Sequence, residues 1–336
     1  MQAIIVRKMA GETTFGIEDW PEPQPGAEEL LIEPEFVGIC GSDLELLAGH
    51  FDVKMPVDYP VVLGHEWAGR VVGVGGDVVE FAPGDLVIGH GVLGSMQWFG
   101  LTSARGAAAD RFTVSSSVCF RVPTGVSAQR AAMIEPTACA LEGLRRAGGI
   151  DAGHTAVVFG CGTLGLAMIG VLNASGALVV AIDPSEHRRN LAVKVGAAAA
   201  LAPHDADKLR ADIHDAVDFN GVDFIVEASG NARAQAATFG LTNRASRILF
   251  MGLSHDAAQD VPLRFIHERD LRIFSSNGAP PEIWEPALRF VQRTGLDLTP
   301  GVSHVFDFPD VRAAIDTARS PGVAGKVMLR PASIHQ

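Results

Sequence analysis

Apolar positions change their spacing part-way along the chain. Up to about residue 125 they fall in short Val-rich runs broken by glycine. Examples are Val61-Val62-Leu63, Gly69-Arg70-Val71-Val72-Gly73-Val74-Gly75, Gly84-Asp85-Leu86-Val87-Ile88 and Arg111-Phe112-Thr113-Val114. Short strands punctuated in this way predict an antiparallel, barrel-like unit. Residues 1–36 add strand-like pieces around a Pro-rich bend, Pro21-Glu22-Pro23-Gln24-Pro25-Gly26. The opening residues 1–8 lack the basic head, long apolar middle and cleavage site of a signal peptide, and are expected to form a first strand.

Beyond residue 125 the texture differs. Ala and Leu on a helical period predict a helix over 127–146. Strands are then expected at 155–160, 177–182, 222–228, 247–252 and 271–275, with helices at 164–175 and 187–195. Alternation of this kind is the pattern of a doubly wound parallel sheet. The tail adds helices at 284–294 and 311–318 and a last strand at 326–330. No repeat or low-complexity segment interrupts the chain. A length of 336 residues fits two domains.

Composition narrows the function. Apolar residues make up 47% and charged residues 20%, which supports packed cores and argues against disorder. A net charge of -12 disfavours nucleic acid or an anionic membrane as partner, though not a small anionic ligand. No apolar run is long enough to span a bilayer. The four cysteines, Cys40, Cys119, Cys139 and Cys161, are too few and scattered for a disulfide framework, so a reducing cytoplasm is the expected setting.

Two constellations carry chemistry. Gly160-Cys161-Gly162-Thr163-Leu164-Gly165 is a GxGxxG pattern after an apolar strand and at the start of an apolar helix. Such glycines let the backbone approach a pyrophosphate, and the helix N-terminus adds N–H groups and partial positive charge. Asp183 follows, at the end of the next strand, where a carboxylate accepts from ribose hydroxyls and repels a 2′-phosphate. NAD is therefore expected over NADP, with Arg188 and Arg189 as the cations opposing that choice. The other constellation is Gly38-Ile39-Cys40-Gly41-Ser42-Asp43, Gly64-His65-Glu66 and Glu135-Pro136. Thiolate, imidazole and carboxylate are ligands that zinc prefers. Singly, a cysteine reads as packing and a histidine as hydrogen-bonded structure.

Together these residues resemble the zinc-dependent medium-chain dehydrogenase/reductase superfamily. Gly84-Asp85-Leu86-Val87, Glu227-Ala228-Ser229-Gly230 and Gly325-Lys326-Val327 match further signatures. The resemblance implies a GroES-like β-barrel catalytic domain from both ends of the chain, 1–136 and 276–336, and an inserted Rossmann cofactor domain, 137–275. It implies Cys40, His65 and Glu66 as metal-site residues, Glu66 either on the zinc or just behind it. Glu135 falls where simple alcohol dehydrogenases carry a second cysteine and polyol, sugar and threonine dehydrogenases commonly a glutamate, acting directly or through water.

The implied reaction is reversible hydride transfer between a secondary alcohol and the nicotinamide, with one catalytic zinc as Lewis acid. The expected substrate is a polyol, sugar, cyclitol or amino alcohol. Ser42 matches the start of the family's proton relay. Glu45 stands where many relatives place a histidine; it or water would finish the relay, with His50 a weaker candidate. Gly252 and Ser276 are expected beside the cofactor with Gly160, Gly162, Thr163, Leu164, Gly165, Asp183 and Arg188. Residues 243–247 replace the Pro-Gly-Gly turn usual in relatives and are taken as loop variation. Met96, Trp98 and Phe99 fall in a substrate-facing region, with packing the favoured role. Residues 89–110 contain no cysteine, so no structural zinc is expected; His90 alone cannot hold one. A homodimer or homotetramer is the expected assembly. The competing readings are a zinc-free quinone or enoyl reductase of the same fold and a non-catalytic NAD-binding redox sensor.

Overall fold

The computed structural model describes the chain except residues 10, 51–55, 90–91, 94–96, 218–220, 255, 258–259, 321–324 and 333–336. His90 and Met96 therefore lie outside the described residues. The chain divides into two compact units. One comprises Met1–Glu135 with Gly301–Gln336, the other Pro136–Pro300.

The first unit is built on the long strand Glu29–Gly38. On one side it pairs antiparallel with Glu66–Val74, which in turn pairs with Leu86–Gly89, and that with Cys119–Arg121. On the other side it pairs antiparallel with the C-terminal strand Lys326–Arg330, which runs parallel to Val302–Asp307. Phe112–Ser115 also pairs with Glu29–Gly38, and Gln2–Met9 forms a separate sheet with Glu12–Asp19 and Val61–Val62. The Val-rich runs thus become antiparallel strands, as their spacing predicts. Their inward residues make one core around Trp67, whose ring meets Phe112 edge-on at 4.9 Å. Phe99 is fully buried 5.3 Å from Phe112, and Trp98 packs on the same core, so this pair serves packing.

The second unit is a six-stranded parallel sheet in the order Ala199–Leu201, Leu178–Ile182, Thr155–Phe159, Phe224–Glu227, Arg247–Phe250, Arg272–Ser275. The crossover from Thr155–Phe159 outward in both directions is the doubly wound arrangement. Its central strands are buried end to end, as strands covered on both faces must be. Among the described residues no helix is long and apolar enough to cross a membrane.

Two expectations shift. The helix predicted over 127–146 is two helices, Ala128–Ala131 and Ile134–Arg146. Pro136 explains the break: its ring clashes with the carbonyl four residues back, so it fits the first turn of a helix and not the middle. The return to the first unit comes at 301 and not at 276. Trp284–Thr294 buries Trp284, Ala287, Leu288 and Val291, and the following Leu296 fills the space beside Gly170 of the second unit's helix Thr163–Ala174. That packing keeps residues 276–300 with the sheet. In the loop at 243–247, Ala245 takes the left-handed φ of 63°.

Candidate active site

Cys40 ends the extended run after Glu29–Gly38 and starts the helix Gly41–Leu47. Three residues on, Asp43 is fully buried and accepts from the Cys40 N–H at 2.7 Å through Oδ2. An acid in a first helical turn also suits the helix dipole. The other oxygen, Oδ1, lies 3.3 Å from His65 Nδ1. Asp43 thereby fixes the start of the Cys40 helix and takes one side of the His65 ring, which leaves Nε2 for another partner.

His65 precedes the strand Glu66–Val74, and Glu66 opens it opposite Gly38. Ligand atoms of Cys40, His65 and Glu66 all lie within 4.8 Å of one another. Asp43 Oδ1, His65 Nδ1 and Glu66 Oε2 are buried without a hydrogen-bond partner. Glu66 is instead held by an ion pair, Glu66 Oε2 with Lys326 Nζ, both residues buried. The Lys326 ammonium also donates to the Ile39 carbonyl at 3.1 Å.

The electrostatics follow from burial and these pairings. Burial, then the charge of Glu66, pushes the Cys40 thiol above its ordinary value. Burial alone would lower His65, but the charge of Asp43 and its contact outweigh it, so His65 lies well above its usual range. Burial works against both members of the Glu66–Lys326 pair; each partner's charge overrides it, so Glu66 sits low and Lys326 high. A part-exposed thiol, an imidazole and an anchored, buried carboxylate, mutually close, suit a tetrahedral zinc that keeps one open position. Among the described residues this is the sole grouping of three or more such side chains.

Other expected residues fall nearby or apart. Ser42 is part-exposed in the first turn after Cys40. Glu45 Oε2 lies 3.4 Å from His50 Nδ1, so the two relay candidates contact each other. Glu135, in the first turn of Ile134–Arg146, stands outside the three-residue grouping, and its charge acts on Lys326. Cys119, Cys139 and Cys161 are buried free thiols. Burial, then the charge of Asp183, pushes the Cys161 thiol up to about 12, so it stays protonated at neutral pH.

In the second unit, Gly160, Gly162 and Gly165 do three different jobs. Gly160 has φ +89°, a left-handed conformation, and a Cβ there would lie 2.7 Å from the Ser229 Cβ. A Cβ on Gly165 would lie 1.8 Å from the Gly160 carbonyl oxygen, so helix and loop touch at backbone. Gly162, which caps Thr163–Ala174, has open space at its Cβ position. Thr163 and Leu164 are part-exposed beside it. Asp183 is buried, and its carboxylate accepts from Cys161 N–H and Ser185 N–H, each at 2.8 Å. Arg188 is close enough for its charge to act on Cys161, while Arg189 is tied to the Asp183 and Pro184 carbonyls. Glu227 accepts from the Ser229 and Gly230 N–H groups, and a Cβ on Gly252 would strike Gly230 N and Glu227 Oε2. Ser276 Oγ is buried without a hydrogen-bond partner at the end of Arg272–Ser275.

Comparison with known proteins gives the family of the chain. Residues 26–124 match the alcohol dehydrogenase GroES-like domain, and residues 163–293 the zinc-binding dehydrogenase family. The chain is 31% identical to an L-threonine 3-dehydrogenase of Pyrococcus furiosus, over 98% of this chain and 99% of that one. It belongs to the zinc-dependent medium-chain dehydrogenase/reductase superfamily. A sorbitol dehydrogenase of Halalkalibacterium halodurans is 27% identical, over 97% and 98% of the two chains. The crystal structure of 2R,3R-butanediol dehydrogenase from Bacillus subtilis superposes with a TM-score of 0.86 at 25% identity, covering 98% and 100%. As a medium-chain dehydrogenase the protein is an alcohol dehydrogenase-type oxidoreductase.

Two residues of the site carry no role in the sequence reading. Asp43 is signalled by its place three residues after Cys40, the spacing of a reciprocal N-terminal cap. Lys326 is signalled by its place in the segment Gly325-Lys326-Val327, which matches a family signature but assigns it no contact, and as a charged residue opening the apolar run Val327-Met328-Leu329. The glycine geometry gives a stability test. Gly165→Ala should destabilise the protein by roughly 1–3 kcal/mol, because backbone must move. Gly162→Ala should stay within about 0.5 kcal/mol of wild type. Denaturant midpoints measure both; equal losses at the two positions would contradict the assignment.

Proposed function

We propose that the protein is a zinc-dependent dehydrogenase that oxidises a secondary alcohol of a polyol, sugar, cyclitol or amino alcohol to a ketone with NAD, reversibly. The close grouping of Cys40, His65 and Glu66, with Asp43 behind His65, carries this reading. Those three residues would hold the zinc, and Glu135 is assigned no direct bond to it. Bound there, zinc would supply Lewis acidity toward the substrate oxygen. Asp43 holds the imidazole in one orientation, and burial keeps water from the Glu66 carboxylate. Ser42 would receive the proton that the alcohol gives up, and the Glu45–His50 pair, 3.4 Å apart, would carry it on.

The second unit would bind NAD, the hydride acceptor. Gly162 has open space at its Cβ position, and the N–H groups of the helix turn that it caps would suit the pyrophosphate. Each Asp183 oxygen accepts one backbone N–H, and a carboxylate has acceptor capacity for more, which suits ribose hydroxyls. The buried Ser276 hydroxyl and Gly252 complete the cofactor residues. The substrate class draws on the relatives, whose names include sorbitol, L-threonine and butanediol dehydrogenases. A cytoplasmic homodimer or homotetramer is the assembly we assign.

The direct test is a panel of these alcohols with NAD, following the reduced-cofactor absorbance, together with metal analysis of desalted protein. We expect turnover and close to one zinc per chain, since residues 89–110 offer no cysteine for a structural ion. Cys40→Ala and His65→Ala should each cut turnover by about 1,000-fold or more while NAD binding survives, the loss corresponding to several kcal/mol of transition-state stabilisation. Unchanged turnover in zinc-depleted Cys40→Ala protein would refute the assignment, and two tightly held ions would refute the zinc count. Asp183→Ser should weaken NAD by about tenfold and improve relative use of NADP. A wild-type preference for NADP would overturn the role given to Asp183.

A further inference from the structure

The lysine beside the metal-site residues is not used by the chemistry above. Lys326 is 4% exposed, so its ammonium is not presented to solvent. It stands on the C-terminal strand Lys326–Arg330, while Glu66 opens Glu66–Val74, and the two strands flank Gly38 from opposite sides. A Cβ on Gly38 would fall 2.4 Å from Glu66 Oε2 and 2.9 Å from Lys326 Cε. The missing side chain at Gly38 is thus what lets lysine and glutamate meet across the central strand. The ammonium is held in place from its other side by the Ile39 carbonyl at 3.1 Å. Three adjacent strands, distant in sequence, converge on one ion pair.

We infer that Lys326 is a positioning residue that shares Glu66 with the metal, keeping this carboxylate an exchangeable ligand so that a coordination position can open to an incoming molecule. The proposal rests on the zinc reading above. Three carboxylates bear on the site beside the Cys40 thiol and the His65 imidazole: Asp43, Glu66 and, acting on Lys326 from its helix, Glu135. A dication set among them would draw Glu66 fully onto itself. A fixed ammonium on the same carboxylate competes for its electron density and lessens the negative charge of the pocket. Removing the ammonium leaves Glu66 to the metal alone. Zinc should then leave more slowly, and a molecule competing with Glu66 should bind more weakly.

The test uses full-length zinc-loaded protein and its cobalt(II)-substituted form. Zinc extraction by dipicolinate is timed for wild type, K326M, K326R, E66Q and E66Q/K326M. Imidazole is titrated into the cobalt(II) proteins through their visible bands. We expect K326M to slow extraction by about tenfold or more, the scale on which residues behind metal ligands act. Imidazole should bind K326M weaker by a similar factor. K326R should restore wild-type behaviour, and K326M should add nothing in the E66Q background, because the lysine acts through Glu66. Should K326M fail to fold, K326Q, uncharged but polar, carries the same expectation. Extraction from K326M as fast as or faster than wild type, unchanged imidazole binding, or an equal effect without Glu66 overturns the inference. A wild-type protein that binds no zinc would instead overturn the proposed function.

Discussion

A carboxylate taken out of water must find a partner, and four buried acids set the geometry of both units under that constraint. Asp43 is satisfied by the Cys40 N–H and faces His65. Glu66 is satisfied by Lys326. Asp183 takes N–H groups from the glycine loop and from the turn after its own strand. Glu227 takes those of Ser229 and Gly230. Each acid stands at the end of a strand or the start of a helix, where backbone donors are free of regular pairing. Each therefore stiffens a segment that would otherwise be an unconstrained connection.

The two units use this device differently. In the first, the acids meet side chains that can bind a cation, and the pocket gathers thiol, imidazole and carboxylate within a few ångströms. In the second, Asp183 meets backbone N–H groups, and Glu227 meets backbone N–H groups and the Ser229 hydroxyl, while Gly162 leaves open space at the N-terminus of Thr163–Ala174. A dication and an anionic dinucleotide are the complementary guests. The alcohol dehydrogenase-type character of the chain is consistent with both, since zinc and nicotinamide chemistry divide along the same line.

Much of this was legible in the sequence because it is local. The switch from Val-rich runs to alternating strands and helices separated the two kinds of sheet, and GxGxxG named its loop by context. Helix 284–294 and the last strand came out at their observed bounds. What was hidden depends on pairing across the chain. The Lys326–Glu66 contact needs the register of three strands and an empty position at Gly38, which no periodicity encodes. The return to the first unit was expected at 276 because the sheet ends there, yet burial of Trp284, Leu288 and Val291 carries the second unit on to 300. The break before Ile134 is encoded in Pro136, whose steric demand outweighs the helical period.

The central claim is that Cys40, His65 and Glu66 together hold one zinc ion. X-ray absorption at the zinc edge of the purified wild-type protein tests it most directly. The account predicts a single sulfur neighbour at about 2.3 Å, with the remaining neighbours nitrogen or oxygen at about 2.0–2.2 Å. Two or more sulfur neighbours, or a zinc shell without sulfur, would contradict it.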